Sequence, residues 1–158
     1  MKPMINDIVT DTEAPVEFKG RSINSYPSKF ASIQKTHYPE VKPLCIKVSM
    51  DVVWPAIIRK IEENPSWQAT VLDENNRYVE AIVTTSLLRF KDDIAIELRP
   101  QGESVEIHMR SRSRLGKSDL GANASRILNF LNSISNLCLL YTSPSPRDRT
   151  RSRMPSSA

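Results

Sequence analysis

Three arginines at alternate positions, Arg110, Arg112 and Arg114, followed closely by Lys117, Ser118, Asp119 and Asn123, are the residues of this 158-residue chain best arranged to do chemistry. Alternate residues of an extended strand share a face, so the three guanidiniums emerge together, opposite Val105, Ile107 and Met109. Such a row repels itself unless an anion compensates it. Ser118 or Asp119 can cap a following helix, whose first turn offers free backbone N–H groups and a positive dipole end. Guanidinium forks beside a helix N-terminus suit a carboxylate or a phosphate. Gly116 and Gly121 allow a ligand close to the backbone. The candidate binding set is therefore Arg110, Arg112, Arg114, Lys117, Ser118, Asp119 and Asn123, with Asp92 and Asp93 nearby. Its occupant is expected to be an anionic small molecule, a lipid head group or an acidic peptide.

Two rival readings use the same residues. In a structural network, Asp92, Asp93, Asp119, Glu97 and Glu106 pair with the arginines, as cross-strand partners commonly do. The Asn6-Asp7…Asp11 segment can dock there too and fix the N-terminal arm. In an enzyme, Asp92, Asp93 or His108 acts as acid or base beside the arginine clamp, because an unperturbed imidazole titrates near neutrality. Adjacent carboxylates at a strand start point to opposite faces, however, so Asp92 and Asp93 do not form a natural pair. His108, mid-strand among charged residues, reads more simply as a surface cross-strand partner, and His37 is isolated. No Ser/His/Asp order, glycine-rich phosphate loop or His-rich metal spacing occurs. A noncatalytic binding domain without metal or cofactor is the first expectation. Aromatic residues do not interleave with the basic run, which argues against nucleic acid.

The elements that must position these residues begin near Leu44. A short strand at 45–48 leads to a helix capped by Ser49 or Asp51, with Val53, Ala56, Ile57 and Ile61 on one stripe and Pro55 tolerated near the first turn. Four strands follow at 67–72, 78–85, 93–99 and 104–113, joined by a polar loop at 73–77 and a turn at Gln101-Gly102-Glu103. A last helix runs from about Asp119 to Ile134, on a stripe of Ile127, Leu128, Leu131 and Ile134. Helix, antiparallel meander and helix make an α+β domain with four to five strands and both helices on one sheet face. Residues 1–44, interrupted by Pro3, Pro15, Pro27, Pro39 and Pro43, read as an extended arm. Ile5, Ile8, Val9, Phe18, Tyr26, Phe30 and Tyr38 would pack that arm onto the domain. Trp54 and Trp67 are expected in the core and at the hairpin.

The chain carries 22 basic and 18 acidic residues. Its last part is of a different kind. Cys138 to Asp148, Cys-Leu-Leu-Tyr-Thr-Ser-Pro-Ser-Pro-Arg-Asp, resembles the in-frame translation of a transposon-end adapter used in sequencing libraries. Residues 138–158 are accordingly expected to be a disordered, non-native tail outside a domain spanning 45–137. Arg147, Arg149, Arg151 and Arg153 against Asp148 supply three of the four net positive charges, leaving 18 basic and 17 acidic residues. The basic balance therefore gives no support for nucleic acid. Only Cys45 remains outside the tail, which excludes an internal disulfide and a cysteine metal cage. No apolar run approaches the length of a membrane span. A soluble domain of the cytoplasm or periplasm is expected, and oligomeric state is not legible.

Phe90-Lys-Asp92-Asp93-Ile94 and the run Arg110-Ser-Arg112-Ser-Arg114-Leu-Gly116-Lys-Ser118-Asp119-Leu-Gly121-Ala-Asn123 together resemble the domain of unknown function 1499 family. Asn6, Asp7 and Asp11 are a second, weaker match, and the resemblance extends from Asn6 to about Leu131. The family usually shows a proline pair before the phenylalanine, where this chain has Ala14-Pro15-Val16-Glu17-Phe18. The resemblance implies one site around the arginine run and no particular reaction. It also implies that membrane attachment, where it occurs, uses a segment preceding the domain.

Overall fold

The structure is a computed structural model and describes residues 2–142. Its elements are β1 (Asp7–Val9), α1 (Phe30–His37), β2 (Leu44–Ile46), α2 (Met50–Glu63), β3 (Trp67–Asp73), β4 (Tyr78–Thr84), β5 (Lys91–Gln101), β6 (Ser104–Ser113) and α3 (Ala122–Thr142). The six strands form one antiparallel sheet in the order β1-β6-β5-β4-β3. β2 also pairs with β6, beside Val105 to Ile107, whereas β1 lies beside Arg110 to Arg112. The fold is α+β, with a helix before and a helix after the meander.

Strand alternation sorts the residues onto two faces. Val79, Ala81, Val83, Ile94, Ile96, Leu98, Val105, Ile107 and Met109 belong to the main core, together with Val53, Ile57 and Ile61 of α2 and Ile127, Leu131 and Ile134 of α3. Both helices therefore cover one face. α2 is capped by Ser49, whose side chain accepts from the Asp51 N–H at 3.1 Å. Pro55 lies inside this helix rather than in its first turn, and its missing N–H leaves the exposed Asp51 carbonyl to water. Trp67 stacks on Phe130 at 5.3 Å between centroids, fastening β3 to α3. Gly102 takes the left-handed conformation (φ 60°) needed to reverse β5 into β6.

Two departures from the sequence expectation concern the ends. The last helix starts three residues later than Asp119, because Leu120 and Gly121 take left-handed φ values of 55° and 85°, which a helix does not admit. The same helix continues past Cys138, which is buried and extends the Leu131–Ile134 stripe by a turn, to Thr142. That turn falls in the segment assigned to the tail, whose Cys-Leu-Leu residues suit an amphipathic helix whatever their origin. Residues 143–158, where the rest of the tail falls, lie outside the described residues.

The arm is more structured than its prolines suggest. It contributes β1 and α1, and its irregular part from Ala14 to Tyr26 straps across the sheet face opposite the helices. Val16 and Phe18 meet Tyr78 and Ala95 there in a second, smaller core. The strap lies so close at Gly20 that a Cβ would sit 2.3 Å from Val71 Cγ2. α1 exists to serve the sheet edge. Buried Gln34 accepts from the Val9 N–H at 3.1 Å and donates to the Val9 carbonyl at 2.7 Å, while Tyr26 donates to its Oε1 at 2.9 Å. A side-chain amide thus stands in for the missing neighbour strand and removes an open edge. Gln34→Ala would orphan both Val9 groups and is expected to lower stability by about 1–3 kcal/mol, measured as a fall in the urea midpoint with unchanged slope.

Candidate functional site

The arginine run lies on the strap-covered face, at the end of β6 between β1 and β5. The register sets Arg112 opposite Asp7 on one side and Asp93 on the other. Arg110 is fully buried. Its guanidinium donates to both Asp7 oxygens, at 3.0 and 2.7 Å, and to the carbonyls of Val16 and Asn24 at 3.2 and 2.9 Å. Phe18 lies 4.8 Å beneath it. Burial pushes the Asp7 carboxyl above its ordinary value, and the Arg110 hydrogen bonds oppose that push. Arg114 forms a fork on Asp93 at 3.1 and 2.9 Å, and Arg21 from the strap reaches the same carboxylate at 3.1 Å. The Asp93 hydrogen bonds raise the Arg114 pKa further.

Of the expected three-arginine clamp, Arg110 and Arg114 are thus occupied by carboxylates of the chain itself. Arg112 is half-buried between Asp7 and Asp93, and Lys117 is exposed. Farther along the face, buried Glu80 accepts from the N–H groups of Lys19 and Gly20 at 2.5 and 3.0 Å, and from the Tyr78 hydroxyl. Burial, with the Glu80 carboxylate beside it, raises the Tyr78 pKa. Arginine, glutamate and tyrosine together tie the strap down from end to end.

Asp92 and Asp93 do point to opposite faces. Asp92 lies on the helix face, where Arg126 of α3 pairs with it at 2.8 Å. Asn123 joins this buried network: it accepts from Ser111 at 2.6 Å and from Arg126 at 2.8 Å, and donates to Ser113 at 2.9 Å and Asp119 at 2.8 Å. Asp119 also accepts from the Gly121 N–H at 2.7 Å, so it holds the turn that enters α3. Ser118 donates to the Pro3 carbonyl at 2.8 Å, and the Asn6 side chain donates to the Gly116 carbonyl at 2.7 Å. Arg126 was not singled out by the sequence, yet a signal existed. Asp92 shares parity with Ile94 and Ile96, and Ser111 and Ser113 with Met109; polar residues on a core face require buried partners.

His108 is a correction to the surface role expected of it. It is 1% exposed; its Nε2 bonds Glu106 at 2.9 Å, and Nδ1 has no partner among the described residues. Neither it nor the two ion-paired aspartates faces a shared opening with Arg112. Among the described residues no group of three or more His, Cys, Asp or Glu could hold a metal ion, and no helix is long and apolar enough to cross a membrane.

Two of the openings among the described residues adjoin one another along α3. One cleft of about 420 Å³, between the β4–β5 and β6–α3 loops, has Asp92, Ser113 and Asp119 in its lining. Leu87, Leu88, Phe90, Leu115 and Leu120 form its rim, all exposed, Leu87 to 88% and Leu120 to 75%. A second groove of about 540 Å³ has a mixed lining, with Lys60, Asn64, Arg126 and Asn129 beside Trp67 and Phe130, and it shares Thr85 and Ala122 with the first. Three residues of the candidate set, Asp92, Ser118 and Asp119, therefore line a cleft, whereas Arg110 and Arg114 belong to the strap network.

The family model described as "Protein of unknown function (DUF1499)" matches residues 7–134, and the chain belongs to that family. No curated protein matches it.

The network geometry makes a direct prediction. Arg110→Met leaves Asp7 as a buried, unpaired carboxylate and is expected to cost about 3–5 kcal/mol. Adding Asp7→Leu should recover part of that loss, because the second substitution removes the stranded charge. Urea unfolding of both single variants and the double variant measures the coupling.

Proposed function

We propose that this member of a family of unknown function is a noncatalytic binding domain, whose ligand is an amphipathic anion held at the two adjoining openings beside α3. The observation that carries this reading is the shared wall at Thr85 and Ala122, where a leucine-rich cleft meets a groove containing Lys60 and Arg126. An apolar body would fill the cleft, and a carboxylate or phosphate would lie toward Lys60. Pockets of several hundred Å³ with mostly apolar walls and few polar groups are the usual form of small-molecule sites. Half-buried Lys60 has no carboxylate partner among the described residues, so an incoming anion would meet an unneutralised charge. Arg126, already paired with Asp92, contributes hydrogen-bond donors more than net charge.

Five of the ten large hydrophobic side chains exposed among the described residues rim this one cleft. Concentrated apolar exposure of that kind marks binding surfaces. The noncatalytic part of the reading is supported by the state of the acid–base candidates. Asp92 and Asp93 are both ion-paired, and His108 is enclosed. The arginine run serves the fold in this reading, and the anion preference moves from Arg110 and Arg114 to Lys60.

Thermal unfolding with dodecanoate as a monomeric probe tests this, with dodecanol and dodecyltrimethylammonium as uncharged and cationic controls. Dodecanoate at 100 times its dissociation constant is expected to add about 2.7 kcal/mol. Phe90→Asp should abolish the shift and Lys60→Glu should weaken it at least tenfold in affinity, both variants melting near the parent temperature without probe. Equal shifts with all three amphiphiles would remove the anion from the reading, and no shift with any would remove the ligand.

A further inference from the structure

The same two loops carry a pattern that the cleft alone does not use. Leu87-Leu88-Arg89-Phe90-Lys91 and Leu115-Gly116-Lys117 place exposed cations close in sequence to exposed apolar side chains. The N-terminal segment adds to them. Pro3 accepts from Ser118 and Asn6 donates to Gly116, which sets exposed Met4 beside the β6–α3 loop, and Lys2 Nζ would lie 3.3 Å from a Cβ on Gly121. Lys2, Arg89, Lys91 and Lys117 are all exposed, and none is ion-paired among the described residues. The carboxylates on and beside these two loops are already committed. Asp92 pairs with Arg126, Asp93 with Arg21 and Arg114, and Asp119 with backbone and Asn123 N–H groups.

We propose that this end of the molecule docks on an anionic lipid surface, with Leu87, Leu88, Phe90, Leu115 and Leu120 entering the interfacial region and Lys2, Arg89, Lys91 and Lys117 contacting head groups. The proposal rests on the binding reading above, since it sets the mouth of the cleft against the bilayer from which an amphipathic anion would come. Apolar side chains that dip into the acyl boundary within a basic surround are the recognised form of interfacial attachment. Each Lys or Arg held near an anionic leaflet strengthens binding by about fivefold. The charge sign chooses the partner: apolar tips alone would suit any greasy surface, but a rim of uncompensated cations selects a negatively charged one. Left-handed backbone at Arg89 (φ 58°) turns the chain sharply at the loop tip between Leu88 and Phe90.

Sedimentation of the full chain with phosphatidylcholine vesicles, with and without phosphatidylglycerol, tests the proposal. Binding is expected only to the vesicles containing phosphatidylglycerol, and raising salt should weaken it. Arg89→Glu with Lys117→Glu should reduce it at least about 25-fold, from two lost cations alone. Leu87→Asp with Leu88→Asp should abolish it. The basic tail of residues 143–158 is the same in every variant, so parental sedimentation by both double variants would assign binding to the tail and overturn the proposal. Equal binding to both kinds of vesicle would overturn the choice of an anionic surface. No sedimentation with either, while dodecanoate still stabilises the chain, would overturn membrane docking, leave a protein partner as occupant of the patch and leave the cleft reading standing. Lys60→Glu, on the last turn of α2 and outside the proposed docking set, should weaken dodecanoate binding without changing sedimentation, which separates failure of one reading from failure of the other.

Discussion

The constraint on which the strap side of the molecule depends is the complete burial of one positive charge. A guanidinium with no water around it demands acceptors on every edge, and Arg110 finds them on two separate stretches of chain: Asp7 on β1, and Val16 and Asn24 on the strap. Each of these contacts fixes something else. Asp7 brings β1 against β6; the two carbonyls hold the strap over the sheet; and Phe18 packs against the guanidinium face. A buried ion pair adds little to net stability relative to an apolar replacement, but its partners are costly to separate. Its consequence here is geometric: it specifies where more than a dozen residues without regular structure must lie.

The helix side uses the same logic at smaller scale. Asp92 on the core face would be expensive alone, and Arg126 neutralises it across the sheet–helix interface. Asn123 then links Ser111 and Ser113 of β6, Arg126 of the helix, and Asp119 before it. The start of α3 is thereby registered against the sheet by hydrogen bonds rather than by apolar packing alone. That matters for the openings, because both clefts are bounded by this helix end and share Ala122. The Asp92–Arg126–Asn123 network fixes this wall, and the leucines on the adjoining loops are exposed.

A charge-rich motif can therefore serve architecture while the surface available to a partner lies next to it. Arginines 110 and 114 have carboxylates of their own chain in forked geometry, which is what an external anion would otherwise supply. Arg89, Lys91 and Lys117, none of them ion-paired among the described residues, stand beside that surface instead. Their neighbours are the exposed apolar side chains of Leu87, Leu88, Phe90, Leu115 and Leu120.

The fold class, the four long strands and the stripes of α2 and α3 were legible in the sequence, because each depends on a periodicity carried by neighbouring residues. The opposite directions of Asp92 and Asp93, and the shared face of the three arginines, followed from strand alternation alone. Asp7 and Asp93 were legible as possible partners of those arginines, but the sequence did not choose between them and an external anion. Whether the arginine face met solvent, a ligand or the chain itself turned on contacts such as Asp7 with Arg110 and Arg21 with Asp93, separated by long stretches of chain. The role of Gln34 at the sheet edge, the burial of His108 and the gathering of Leu87, Leu88, Phe90, Leu115 and Leu120 around one cleft had no local signature either. Periodicity determines which side of an element a residue occupies; only tertiary packing decides what stands opposite, because that depends on how the elements meet in space.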